Sequence, residues 1–296
     1  IEFFSKEIPK DVSNEVDIGK LSLNNRDFKT AEYYFMIAAK QDDDEAEYYL
    51  GLMYAYHYSN PTNINKAIKY LTLSANHEND DAYYHLGTIY YYGYGVPIDI
   101  TKGIKYFELA ANKDHVEALN ALGNYYTFQK KCDKGIIYYE RAAKYNYYIS
   151  LGTLGCLYFE GRYVKQDTTK ALEYLIRAKE NGNVHALYNI GQIYIEKKYD
   201  HYDLDKAINY FEEAAKHNLP LSQAQLGMIY YHPTFGKQNI NKAINYLPQS
   251  ANQNCHLALE MLGSIYLNGE YVSRDIKKGI HYLTLSAELN DAYAQY

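Results

Sequence analysis

Apolar residues along this chain return at helical intervals. Ala46, Leu50 and Tyr54 stand four apart, which puts them on one face of a helix. Ile68, Leu71 and Ala75 draw a similar stripe shortly afterwards. Between such stripes lie turn-forming stretches, of which Gly93-Tyr94-Gly95-Val96-Pro97 is the clearest. The pattern predicts pairs of amphipathic helices joined by loops.

The pairs repeat. Leu-Gly or Ile-Gly, with Tyr three residues after the glycine, recurs at Gly51, Gly87, Gly123, Gly155, Gly191, Gly227 and Gly263, in steps of 36, 36, 32, 36, 36 and 36 residues. Five residues before each of these glycines stands Ala or Ser. A second motif follows in each repeat, Lys then Ala or Gly, as in Lys66-Ala67-Ile68…Tyr70 and Lys206-Ala207-Ile208…Tyr210. A degenerate first copy carries Ile18-Gly19 and Thr30-Ala31…Tyr33. Eight repeats result, at about 13–44, 45–80, 81–116, 117–148, 149–184, 185–220, 221–256 and 257–292.

Spacing within the repeats is equally regular. From the first-helix glycine to the second-helix small residue the distance is 16 in six repeats and 12 in two, 19 to 31 and 123 to 135. The distance onward to the next glycine is always 20. Length therefore varies only in the hairpin loop, as a stack of identically docked neighbours requires. Glycine in mid-helix costs about 1 kcal/mol against alanine, so its recurrence points to close approach of two helix backbones. Asn63, Asp99, Asp167, Asp203, Asn239 and Asp275 stand three residues before the second-helix lysine, where they are expected to be N-caps. The expected fold is an all-α solenoid of about eight helical hairpins, one domain over residues 1–296. Its close on Ala292-Tyr293-Ala294-Gln295-Tyr296 reads as the opening of a ninth first helix, and so as part of a longer polypeptide.

Tyr92-Gly93-Tyr94-Gly95-Val96-Pro97-Ile98-Asp99, running into Lys102-Gly103-Ile104, resembles the inter-helix signature of the Sel-one-like repeats, longer-looped relatives of the tetratricopeptide repeats. Gly161…Val164…Asp167 and Gly269…Val272…Asp275 are fainter copies. The resemblance implies a right-handed α-α superhelix acting as a non-catalytic adaptor or scaffold for another protein. A cysteine-rich branch of that family, linked to penicillin binding, carries a disulfide in every repeat. Cys132, Cys156 and Cys255 do not reproduce that pattern.

Composition narrows the field further. Hydrophobic residues are 47% of the chain, enough for a packed core, and Tyr occurs 38 times while Trp is absent. Tyrosine, apolar in body and polar at its tip, suits a thin, half-exposed layer. A net charge of −6 argues against a nucleic-acid surface, which needs a basic stripe. No apolar run approaches the ~18–20 residues of a membrane span. The start, Ile1-Glu2-Phe3-Phe4, has neither an initiator Met nor a signal-peptide pattern. No metalloprotease, nucleophile-elbow or phosphate-loop motif occurs, and Gly93-x-Gly95 reads as a turn. The run Asp42-Asp43-Asp44-Glu45 lies at a first-helix start, where the helix dipole favours acids, and lacks the glycine and terminal Glu of a calcium loop. No cofactor or metal is expected.

By analogy with tetratricopeptide geometry, the groove positions lie three residues before each repeat glycine and one, four and five after it. They nominate Tyr48, Leu52, Tyr56, Tyr84, Tyr91, Tyr92, Asn120, Asn124, Phe128, Tyr188, Gln192, Met228, Tyr231 and His232 as partner-binding residues. Aromatic rings with hydrogen-bonding groups are typical interface anchors. The competing expectation is that many of these tyrosines pack between adjacent repeats. From eight residues before each glycine to five after it, repeats two to eight contain no Lys or Arg, whereas the second helices are rich in them. The expected partner is accordingly another protein or peptide of basic or neutral polar character, bound on a concave face lined by first helices. A hydrolase of cell-wall or β-lactam type, like the cysteine-rich relatives, and an RNA-binding helical repeat are the alternatives. The acidic inner face disfavours the second.

Overall fold

Each second helix begins where a short polar side chain can satisfy its free backbone N–H groups. Asn63, Asp99, Asp167, Asp203, Asn239 and Asp275 each accept a hydrogen bond from the backbone N–H three residues on. First helices use the same device at Asp43 and Asn79, which cap onto Ala46 and Ala82. A computed structural model describes residues 15–56 and 63–294, with side chains as far as 289. Among these it contains α-helices paired as hairpins and no strand.

The helices gather into two compact halves, Ile1–Tyr145 and Asn146–Tyr296. In the first half α1 (Glu15–Asn24) pairs with α2 (Phe28–Ala39), α3 (Asp44–Ala55) with α4 (Ile64–Asn76), α5 (Asp80–Tyr92) with α6 (Ile100–Asn112), and α7 (Val116–Phe128) with α8 (Cys132–Lys144). In the second, α9 (Tyr148–Glu160) pairs with α10 (Thr168–Glu180), α11 (His185–Ile195) with α12 (Leu204–Lys216), α13 (Pro220–Tyr231) with α14 (Ile240–Ala251), and α15 (His256–Asn268) with α16 (Ile276–Ala294). Within each half the second helix of one hairpin packs on the first helix of the next.

The constant junction has a local cause. Asp42, Glu78 and Asp114 in the first half, and Gly182, Asn218 and Asn254 in the second, take positive φ between 57° and 95° at the turn from one hairpin to the next. The two short hairpins, α1–α2 and α7–α8, turn through Arg26 at φ 60° and Lys130 at φ 59°. Three of the hairpins with the longer spacing, α5–α6, α9–α10 and α15–α16, leave their first helix through Gly93, Gly161 and Gly269 at φ 67° to 72°.

The repeat glycines sit in the hairpin interface, with one difference from expectation. What a methyl group would meet first is a large side chain of the second helix: Phe107 at 2.6 Å from Gly87, Tyr139 at 2.5 Å from Gly123 and Phe211 at 2.6 Å from Gly191. The opposing backbone comes next, the Gly103 carbonyl lying 3.2 Å from the same point on Gly87. Glycine therefore makes a seat for a ring or a leucine, and the close approach of the backbones follows from that seating.

The second-helix lysine is equally bound into the hairpin. From Lys66 over Tyr54 to Lys278 over Tyr266, in seven repeats, its ammonium lies 3.8 to 5.3 Å from the centroid of the first-helix tyrosine ring. That ring in turn stacks on the second-helix tyrosine at 5.6 to 6.2 Å. The cations that distinguish second helices are thus partly spent inside the hairpin. Lys102→Met, which keeps the apolar stem and removes the charge 3.8 Å from the Tyr90 ring, is expected to cost about 0.5–1 kcal/mol in denaturant unfolding. An unchanged midpoint would show the lysine to be a bystander.

The last described residues differ from expectation in one respect. Residues 292–294, anticipated as the opening of a ninth first helix, continue α16 without a turn, while 295–296 lie outside the described residues.

Candidate functional site

In the first half the nominated residues gather around two histidines. The Tyr48 hydroxyl lies 3.4 Å from His85 Nε2 and the Tyr56 hydroxyl 3.0 Å from Nδ1, so α3 and its C-cap hold an imidazole on α5 by both nitrogens. A neutral imidazole has one donor and one acceptor, so one hydroxyl donates and the other accepts. Burial holds His85 down at about 4 and pushes Tyr56 up to about 12. Burial raises Tyr48 as well.

Tyr84, the residue before His85 on α5, stacks on His115 at 4.9 Å and 22° and meets Phe107 at 5.8 Å. His115 caps α7 by accepting the Ala118 N–H at Nδ1, which leaves its Nε2–H to donate to Asp81 at 3.0 Å. That hydrogen bond keeps the Asp81 carboxyl below the ordinary range. A continuous layer of rings and one carboxylate thus crosses α3, α5 and the start of α7.

Other nominated positions divide between packing and exposure. Tyr91 lies over Gly103 and meets Phe107 at 5.8 Å and Tyr125 at 6.4 Å, so most of its ring is committed to the hairpin. The Asn124 side-chain oxygen accepts the Tyr139 hydroxyl at 2.7 Å. Leu52 and Asn120 are half-buried. The position five after the glycine is the open one: Tyr56, Tyr92 and Phe128 are 38%, 56% and 85% exposed.

In the second half the Gln192 amide donates to the Tyr188 hydroxyl, and the Tyr188 ring lies 5.9 Å from Phe211. Met228 is half-buried. Tyr231 stands edge-on to His232 at 5.2 Å and to Tyr271 at 5.6 Å. Tyr231 and His232 border a cavity that also takes in Glu260, Ser264 and Asn268 of α15.

Register alone did not nominate His85, two residues before a repeat glycine, because that position turns back towards the preceding first helix. His115 escaped notice because histidine is an unusual N-cap. Several first-helix acids have local partners: Asp43 is a cap, Glu45 pairs with Lys20 at 2.5 Å, and Glu47 lies 3.8 Å from His77. Glu47 is nearly fully buried at a position where Leu119, Leu151, Leu187 and Leu259 stand in other repeats, and desolvation raises its pKa. Among the described residues no three His, Cys, Asp or Glu side chains gather as a metal site would require. No described helix is long and apolar enough to cross a membrane.

Stacked hairpins of this kind define a helical-repeat protein of the tetratricopeptide-like class. Seven Sel1 repeats match the family model, at residues 44–79, 80–115, 116–144, 151–183, 184–219, 220–255 and 256–291. The chain belongs to the Sel1 repeat family. Its degenerate first hairpin, α1–α2, lies outside the matched repeats. Proteins of this family generally serve as protein–protein interaction scaffolds.

The fold is similar to that of c5321, a protective antigen present in uropathogenic Escherichia coli strains and displaying an SLR fold. The TM-score is 0.82 at 24% identity, over 95% of this chain and 62% of that one. A Sel1 repeat protein from Oxalobacter formigenes gives a TM-score of 0.70 at 23% identity, over 80% of this chain and 99% of that one. The chain thus spans less than two thirds of the length of the first of these. No curated protein matches it in sequence.

Proposed function

We propose that this chain is a non-catalytic scaffold that holds a partner protein, or an extended segment of one, against the face built by its first helices. The observation that carries the reading is the layer formed by Tyr48, Tyr56, Tyr84, His85 and Tyr92, half-exposed on helices that contain no Lys or Arg. Rings with polar tips supply contact area at small entropic cost. The missing cations and the carboxylates of Asp81 and Glu117 favour a partner segment of basic or neutral polar character.

The test uses the exposed rings rather than the packed ones. Tyr92 and Phe128 are replaced together by alanine, which leaves Tyr56 on His85 and Tyr91 over Gly103 in place. Proteins captured from native cells by the unaltered chain are expected to be lost from this variant, with circular dichroism and melting unchanged. Capture of the same proteins in the same amounts by both forms would end the reading.

A further inference from the structure

Between α13 and α15, the first helices of two neighbouring repeats, and Leu283 of α16 lies an open cavity of about 470 Å3. Its floor is apolar, made by Met261, Ile265 and Leu283, and its rim is polar. Glu260 supplies a carboxylate, Ser264 and Asn268 supply oxygens that accept hydrogen bonds, and Tyr231 supplies a ring. His256 Nε2 lies 3.4 Å from Glu260 Oε1, one helical turn back on the same face. None of α9, α11, α13 and α15 contains Lys or Arg. A cation entering here meets a carboxylate and no lysine or arginine from those helices.

Apolar floor, carboxylate rim and adjacent ring are the three surfaces that a long cationic side chain uses. Its methylene stem packs on apolar groups while its head keeps polar partners. Guanidinium adds a planar fork that matches a carboxylate and a flat face that stacks on an aromatic ring. We infer that the cavity is a subsite for one arginine side chain of the bound partner segment, held by Glu260 and flanked by Tyr231 and Asn268. The inference rests on the scaffold reading above and adds to it the chemistry of one contact in the second half of the chain.

The peptide Ac-Gly-Gly-Arg-Gly-Gly-NH2 is titrated into the full chain while the methyl signals of Met261, on the cavity floor, and Met36, in the first half, are followed by NMR. Its citrulline counterpart, equal in shape and uncharged, is titrated in parallel. Saturable movement of the Met261 signal alone is expected, at least fivefold weaker with citrulline and in the Glu260→Gln variant, and unchanged in Glu196→Gln. Equal responses to arginine and citrulline, a silent Met261 methyl, or full binding by Glu260→Gln would overturn the inference. Because the scaffold test reads the rings of the first half, loss of capture there combined with no arginine response here would remove this subsite and leave the broader reading standing.

Discussion

Replacing Phe211 by alanine is expected to destabilise the second half by about 3–5 kcal/mol, and Gly191→Ala by up to about 2 kcal/mol, while the pair together costs clearly less than the sum. Phe211 is fully buried, so truncation forfeits its burial and leaves a cavity. At Gly191 two effects compete. Alanine gains roughly 1 kcal/mol of helix propensity over glycine. Its methyl, however, would lie 2.6, 2.8 and 2.9 Å from three carbons of the Phe211 ring, a buried group that also meets Tyr188. Overpacking of that kind costs about 1–3 kcal/mol, and it wins because a wedged ring has nowhere to go. With the ring removed, the new methyl enters vacated space and the clash disappears. Phe211→Leu offers no such relief, since Leu71, Leu175 and Leu283 already stand 2.5 to 2.6 Å from the corresponding point on their own glycines. Denaturant unfolding of the four proteins measures the coupling. Additivity within about 0.4 kcal/mol would mean that ring and glycine do not form one packing unit.

Much of this was legible because it is local or strictly periodic. Asn63 and Asp99 announce second-helix starts through a hydrogen bond that spans three residues, and such bonds need no tertiary context. The constant 20-residue junction was visible as a number, and one left-handed residue per turn accounts for it. What stayed hidden depends on contacts between helices. Lysine and tyrosine recur conspicuously in the sequence, yet only the hairpin shows Lys102 seated on Tyr90 and Tyr90 stacked on Tyr106. Register identified the open positions Tyr56, Tyr92 and Phe128, but it could not foresee that Tyr91 would cover Gly103 or that Asn124 would receive the Tyr139 hydroxyl.

Acidification should weaken the first half through His85, and the sign follows from its surroundings. The imidazole is held neutral between the hydroxyls of Tyr48 and Tyr56, and burial depresses it from 6.5 to about 4. Asp81 opposes that depression and His115 reinforces it, but desolvation is the largest influence. A depressed folded value means that the unfolded chain takes up the proton first. The stabilising contribution is therefore complete above pH 6.5 and is lost as pH falls towards 4. A tenfold difference in proton affinity between folded and unfolded chains is worth about 1.4 kcal/mol, so moving from pH 7.5 to 4.5 should remove about 2–3 kcal/mol. Gln225 and Asn189 occupy the equivalent place in other repeats, so His85→Gln supplies a side chain that the fold already accommodates there. Carboxylates such as Glu47 and Asp81 titrate in both proteins and largely cancel in the comparison. The unaltered chain is expected to lose about 2–3 kcal/mol more than His85→Gln over that interval in denaturant unfolding, and the His85 ring signal should titrate near pH 4 by NMR. Parallel stability curves, together with an imidazole midpoint near 6.5, would show that the two tyrosines do not shield the ring and that the layer is open to water where the partner is proposed to bind.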